Sequence, residues 1–194
     1  MQNIVLDIKH KIENIIPIKG NRIILDEISI EDLLEIKRWI KKEPQEKITC
    51  RPIQDYSQEE ELKKCKDFKE SVSSYAFGIY EKHTGRITGR VTFFDYNSRN
   101  QAIEIGYFIL PGFRNRGYAY EALQRAIKAV FESGINKIMA QTANFNTPSI
   151  MLLRKLNFQQ DGILRQHHIL DGVYYDDLVF SILKKEFIDI SKKH

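Results

Sequence analysis

The chain has only two cysteines in 194 residues, Cys50 and Cys65, and neither belongs to a C-x-x-C pair. A disulfide framework and a thiolate metal site are therefore not expected. There is one tryptophan and five prolines, and no Pro/Gly/Ser-rich linker divides the chain. No internal repeat or low-complexity tract is visible. No run approaches the ~18 apolar residues of a membrane helix, and mean hydropathy is −0.40. Residues Met1–His10 lack the basic start, long apolar block and small-residue cleavage site of a signal peptide. No GxxxxGK[ST] or GxGxxG occurs, which excludes a Walker P-loop and a dinucleotide fingerprint. Charge of one sign is also scarce: 30 Lys+Arg against 26 Asp+Glu leave a net charge of +4. That is well short of a nucleic-acid-binding surface and compatible with an anionic cofactor.

What is present is a globular composition, 42% hydrophobic with 11 Phe and 9 Tyr. The length fits one domain over 1–194, with an N-terminal extension (1–20) and a C-terminal tail (184–194). Together these features predict a soluble, cytoplasmic protein.

Hydrophobic periodicity orders the elements. Arg22–Ile28 reads as a strand. Ser29 caps a helix over 30–41, and Ser57 with Glu60 opens another over 57–72. Ala76–Tyr80, Ile87–Tyr96 and Ala102–Leu110 read as strands, the last stopped by Pro111-Gly112. Ala119, Ala122, Leu123, Ala126, Ile127, Val130 and Phe131 give the clearest amphipathic helix, closed by Gly134. Lys137–Thr142 is a short strand and Pro148–Leu156 a short helix with Asn157 as its left-handed cap. Phe158–Leu170 and Val173–Leu183 form a hairpin around Asp171-Gly172. The order β-α-α-β-β-β-α-β-α-β-β predicts a mixed α/β fold: a twisted, mostly antiparallel sheet of about seven strands flanked by helices. Ile15–Ile18 is a candidate edge segment.

The segment Gly106–Ala119 carries the functional signal. A strand ends, a tight turn follows, and a basic loop opens the best helix. A helix N-terminus presents unpaired N–H groups and about half a positive charge. Gly117 and Ala119 leave room for a bulky anion, and Arg114 and Arg116 add charge, as a pyrophosphate requires. The plain alternative is a surface loop with solvated arginines.

Arg114-x-x-Gly117-x-Ala119 resembles the Q/R-x-x-G-x-G/A signature of the GCN5-related N-acetyltransferases (GNAT). The resemblance is closest to the Rim-type branch that acetylates ribosomal-protein N-termini. Its carriers are Glu104-Ile105-Gly106-Tyr107, Gly117-Tyr118-Ala119-Tyr120-Glu121-Ala122, Asn146-x-x-Ser149, Leu153-Arg154-Lys155-Leu156-Asn157-Phe158 and Gly172-x-Tyr174-x-Asp176. Two positions depart from the branch: Asn157 stands where Gly is usual, and Asp161 where Glu is usual.

The resemblance implies acetyl-CoA as cosubstrate, CoA as product, no metal, and direct transfer to a primary amine. The amine is either a protein N-terminus or a small molecule such as a polyamine, an amino acid or an aminoglycoside; a non-catalytic CoA-binding module is a third reading. It implies a cofactor seat at Arg114, Asn115, Arg116, Gly117, Tyr118 and Ala119. It further implies pantetheine pairing along Phe108, Ile109 and Leu110, with backbone N–H groups near Ile109 and Leu110 polarising the thioester, and a pantetheine contact at Asn146. In many relatives a Tyr at the Leu153 position protonates the thiolate. Leu153 cannot, so Ser149, which shares its helix face, is the candidate acid or hydrogen-bond partner of the cofactor sulfur; alternatively it only satisfies the helix start. Asn146 is also an N-cap candidate.

Glu104 and Asp161 are the candidate bases, against plain readings as a solvent-facing strand carboxylate and a turn residue. A free α-amine titrates near pH 8, so making it neutral at pH 7 costs only about 1.4 kcal/mol, whereas a Lys amine costs about 5 kcal/mol. Trp39, His167, Tyr174 and Asp176 are candidate acceptor contacts, each with a packing alternative. No nucleic acid or membrane partner is expected, and a homodimer is compatible with the sequence.

Overall fold

The computed structural model describes residues 12–44, 47, 49, 54–71 and 73–187. Cys50, Val72, the first eleven residues and most of the C-terminal tail lie outside that set, so the expectations placed on them are not addressed by the structure.

Eight strands form one sheet in the spatial order β1-β2-β3-β4-β5-β6-β8-β7. They are β1 (Ile18–Lys19), β2 (Ile23–Glu27), β3 (Tyr75–Glu81), β4 (Ile87–Asn97), β5 (Ala102–Ile109), β6 (Lys137–Ala143), β7 (Gln159–Leu170) and β8 (Val173–Leu183). The helices are α1 (Ile30–Lys42), α2 (Gln58–Glu70), α3 (Tyr118–Glu132) and α4 (Thr147–Lys155). The sequence order holds, with the candidate edge segment realised as the two-residue β1. Every neighbouring pair is antiparallel except β5 and β6. A parallel pair needs a crossover, and α3 supplies it.

The caps fall where the side chains predicted them. Ser29 accepts from Asp32 N, and Ser57 with Glu60 completes a reciprocal capping box. Asn157 takes φ +67°, as a left-handed cap does. Two cores result from the strand alternation. On one face Ile103, Ile105 and Ile109 of β5 meet Val91 and Phe93 of β4, with α3 (Leu123, Ile127, Val130) and α4 (Ile150, Leu153) lying across them. On the other face Leu33 and Ile36 of α1 and Cys65 of α2 cover Ala76, Ile87 and Leu110. Consecutive residues of β5 therefore look into opposite layers.

Leu123 is 1% exposed at the centre of the larger core. Leu123→Ala is expected to lower unfolding stability by about 2–5 kcal/mol through lost burial and a residual cavity, read as a fall in urea midpoint at unchanged m-value.

Candidate active site

The two parallel strands do not stay together. β5 and β6 pair only at Ala102↔Lys137, Ile103↔Ile138 and Glu104↔Met139. Beyond that row β5 runs on to Ile109 and β6 to Ala143 without further pairing to each other. β5 stays bound to β4 up to Ile109, and β6 stays bound to β8 along its whole length. The sheet thus opens into a wedge with its apex at Glu104 and Met139.

The Leu110 N–H donates to Thr88 O at 2.8 Å, towards β4. Strand alternation then turns the backbone groups of Ile105, Tyr107 and Ile109 towards the wedge. This refines the sequence expectation. Leu110 has its donor engaged and leaves Ile109 to face the opening. The Ile109 carbonyl accepts from Arg114 Nε at 3.0 Å, so the N–H is its remaining backbone group.

At the mouth of the wedge the chain turns through Pro111–Phe113 into the basic loop. Asn115 (φ +60°) and Gly117 (φ +79°) are both left-handed, bending the loop back onto the start of α3. Arg22, from the residue just before β2, holds that bend. Its Nη1 donates to Arg116 O at 2.6 Å and its Nε pairs with Glu121 Oε2 at 3.1 Å. Glu121 also accepts from the backbone N–H of Asn21 and of Arg22. In a trans peptide the C=O and the next N–H point in opposite directions. Fixing the Arg116 carbonyl on Arg22 therefore aims the Gly117 N–H away from it, into the concavity at the helix start. A Cβ on Gly117 would sit 2.8 Å from Arg22 Nη2.

The loop arginines differ in role. Arg114 pairs with Glu43 of the α1 C-terminus at 3.1 Å and stacks over Phe108 at 5.4 Å, so it braces the strand end. Arg116 lies over Phe113. The Tyr118 hydroxyl donates to Glu81 at 2.6 Å, which leaves only its backbone N–H for the concavity. That bond and one from Thr84 hold the Glu81 carboxyl below its ordinary pKa.

Along the wedge, the Tyr107 hydroxyl donates to Ser149 Oγ at 2.9 Å, joining β5 to the first turn of α4. Burial pushes the Tyr107 phenol upward, partly opposed by the Ser149 bond. Asn146 is the N-cap of α4, its Oδ1 accepting from Ser149 N at 3.4 Å. Leu153 is buried at 2% exposure and belongs to the core. Glu104, at the apex, faces the α1/α2 layer, because Ile103 and Ile105 face α3. Glu104 and the Tyr107–Ser149 pair therefore stand on opposite faces of the opening.

Asp161 lies outside this group: its carboxylate accepts from Lys137 Nζ at 2.7 Å and from Ser181 Oγ at 2.8 Å, bonds that lower its pKa. Asp176 accepts from Gln166 N at 2.8 Å, at an irregularity in the β7–β8 ladder. His167 is exposed; its neighbour His168 is the one turned inward, 3.4 Å from Asp177 and edge-on to Phe145. Tyr174 is 62% exposed, and Trp39 is at 36% with Lys42 over its ring. The described residues contain no metal-holding cluster and no helix long and apolar enough to cross a membrane.

A family profile described as an acetyltransferase (GNAT) domain matches residues 22–159, from Arg22 to the start of β7. The chain belongs to the GNAT family. It is 31% identical over 169 residues to the Bacillus licheniformis protein named uncharacterized N-acetyltransferase p20, covering 86% of this chain and 95% of that one. It is 26% identical over 118 residues to the [ribosomal protein uS5]-alanine N-acetyltransferase of Escherichia coli, covering 60% and 61% of the two chains. The fold superposes on the spermidine/spermine N-acetyltransferase SpeG from Vibrio cholerae with a TM-score of 0.75, at 18% identity, over 90% of this chain and all of that one. This GNAT protein is an N-acetyltransferase.

Arg22 and Tyr107 were not singled out as site residues in the sequence. Arg22 lies 94 residues from the carbonyl that it holds, a separation no local pattern reports. Tyr107 lay within the Glu104–Tyr107 motif, which was the available signal.

Two outcomes follow. Gly117→Ala, strained at positive φ and crowded by Arg22, is expected to weaken acetyl-CoA binding at least tenfold by calorimetry. Unchanged affinity would detach this loop from the cofactor. Asp161 has its pKa lowered on folding, so it stabilises above its unfolded value near 3.8 and loses that contribution as pH falls through the lower folded value. Asp161→Asn is therefore expected to lower Tm at pH 7, with the gap to wild type closing below about pH 4.

Proposed function

We propose that this protein transfers acetyl from acetyl-CoA to the N-terminal α-amine of a protein, a ribosomal protein in the first instance, in the cytoplasm. The observation that carries the reading is the wedge between β5 and β6, with its inward backbone groups, its apex carboxylate and the Tyr107–Ser149 pair on one side. Five strand steps separate Glu104 from Ile109, about 17 Å. That is a suitable run for an extended pantetheine arm to pair with β5 as an added strand. The arm then places its pyrophosphate at the start of α3, where the Gly117 and Tyr118 N–H groups and Arg116 meet it.

With the thioester just beyond the apex, the inward-facing β5 N–H groups nearest to it polarise its carbonyl. One such donor is typically worth about 3 kcal/mol of barrier. The amine nitrogen attacks the carbonyl carbon, and the C–S bond breaks. The amine must lose a proton and the thiolate must gain one. For an α-amine the neutral fraction at pH 7 suffices, with Glu104 on the acceptor face taking the proton shed on attack. Ser149 donates to the sulfur from the opposite face. Because Tyr107 donates to Ser149 Oγ, the serine proton is directed elsewhere, towards the wedge. Tyr107 then returns a proton to Ser149 from behind. This arrangement supplies by a strand tyrosine what Leu153 cannot supply from α4. The relationship to a ribosomal-protein acetyltransferase favours a protein N-terminus over other amines.

Ser149→Ala is expected to lower kcat about 10- to 100-fold with little change in acetyl-CoA affinity, the range in which a positioned acid contributes at its lower end. Tyr107→Phe should lower kcat by a smaller factor. Release of free CoA thiol, assayed across N-terminal peptides and small amines, is the measurement. Absence of thiol release with every amine would overturn the catalytic reading.

A further inference from the structure

The face of the sheet that carries Glu104 also carries Arg90 and Thr92 of β4. Arg90 lies opposite Phe108 and Thr92 opposite Gly106, while Glu104 lies opposite Phe94. Arg90 is half-buried between β3 and β5, with Gly78 as its other cross-strand neighbour. Among the described residues it has no carboxylate partner and no hydrogen-bond acceptor, and the buried Cys65 thiol of α2 is its nearby titratable neighbour. Burial lowers its pKa accordingly. The other arginines near the site differ: Arg22 is paired with Glu121, and Arg114 with Glu43 and the Ile109 carbonyl. Removing a guanidinium from bulk water without a partner is costly, and a planar fork of donors suits a carboxylate best.

Thr92 gives an independent sign at the same place. Its Oγ1 is buried and has no hydrogen-bond partner, whereas Thr88 on the same strand donates to Ile79 O at 2.8 Å. A buried hydroxyl without a partner is unusual enough to call for one. Opposite it, Gly106 lets the Phe94 ring lie close over the strand; a Cβ there would come 3.2 Å from that ring. Along this floor a cation receptor (Glu104), a hydroxyl (Thr92) and an anion receptor (Arg90) follow one another. The end members are four residues apart along the ladder, about 13 Å between backbone positions.

We propose that Arg90 receives a carboxylate of the acceptor, and that the acceptor is a peptide N-terminus with Asp or Glu as its second or third residue. The inference rests on the acetyltransferase reading of the same site and names its substrate class. The spacing exceeds that between the amine and carboxylate of one α-amino acid, and matches a side chain one or two residues further on. A polyamine would set ammonium against guanidinium and is disfavoured.

The test uses the full chain with acetyl-CoA and hexapeptides beginning Ala-Asp, Ala-Glu, Ala-Asn, Ala-Gln, Ala-Lys, Ala-Ala-Asp and Ala-Ala-Asn, beside free glutamate and spermidine. Thiol release gives kcat/KM. An Asp or Glu peptide is expected to exceed its amide-matched partner at least tenfold, and Arg90→Gln is expected to bring that ratio close to one with acetyl-CoA affinity retained. Equal kcat/KM for Asp and Asn peptides, or a ratio that survives Arg90→Gln, overturns the role of Arg90 while leaving the acetyltransferase reading intact. Preference for free glutamate or spermidine overturns the peptide assignment. Thiol release with no acceptor at all, although acetyl-CoA binds, defeats the enzyme reading itself and this inference with it. The wild-type ratio is decisive without a variant, so a folding defect in Arg90→Gln does not blunt the test.

Discussion

The separation of β5 from β6 after three paired rows is the constraint on which the site depends. β6 is held by β8 over seven rows, and β5 by β4 up to its last residue. Each strand therefore follows its own outer neighbour, and the sheet's accumulated twist drives them apart. Backbone groups along a sheet edge normally find a partner. Here those of Tyr107 and Ile109 face the opening, where a ligand can supply the complement. Binding and fold are thereby coupled through the same ladder, and the opening passes through the sheet from one helical layer to the other. Proton acceptor and proton donor can then approach one reacting centre without competing for space.

The second support is the clamp between Arg22, Glu121 and the loop carbonyl of Arg116. Glu121 is in the first turn of α3, where a negative charge is favoured by the helix dipole. It also lies near the anion seat, which it would weaken if left bare. Pairing with Arg22 neutralises it while turning the carbonyl outward. One cation thus serves the helix start, the loop geometry and the local potential together.

The secondary-structure elements were readable from the sequence because their signals are local. Ser29, Ser57, Pro111-Gly112, Asn157 and Asp171-Gly172 mark ends, and periodicity within 118–132 marks a face. What was not readable depends on distant partners or on irregular ladders. The bonds of Asp161 to Lys137 and Ser181, and of Arg114 to Glu43 and the Ile109 carbonyl, carry no local signal. The exchange of His167 for His168 follows from the one extra residue on β7 between Gln160 and Gly162; a single-residue bulge flips which side chains face inward beyond it, and an unbroken period-two pattern from Asp161 does not predict it. The Tyr107–Ser149 bond needs the wedge to exist before the two residues can meet.

That same irregular β7 has a consequence for how the molecule behaves among its own kind. β7 is the outer strand of the sheet and carries exposed Ile163, Leu164 and Ile169, a composition that invites strand-to-strand aggregation. Its ladder is broken between Gln160 and Gly162 and again between Leu164 and His168, with Gln166 at φ +53°. No regular stretch exceeds three residues, too short to template an incoming chain. The kinks thus deny an incoming strand the flat, regular margin that edge-to-edge pairing of sheets requires.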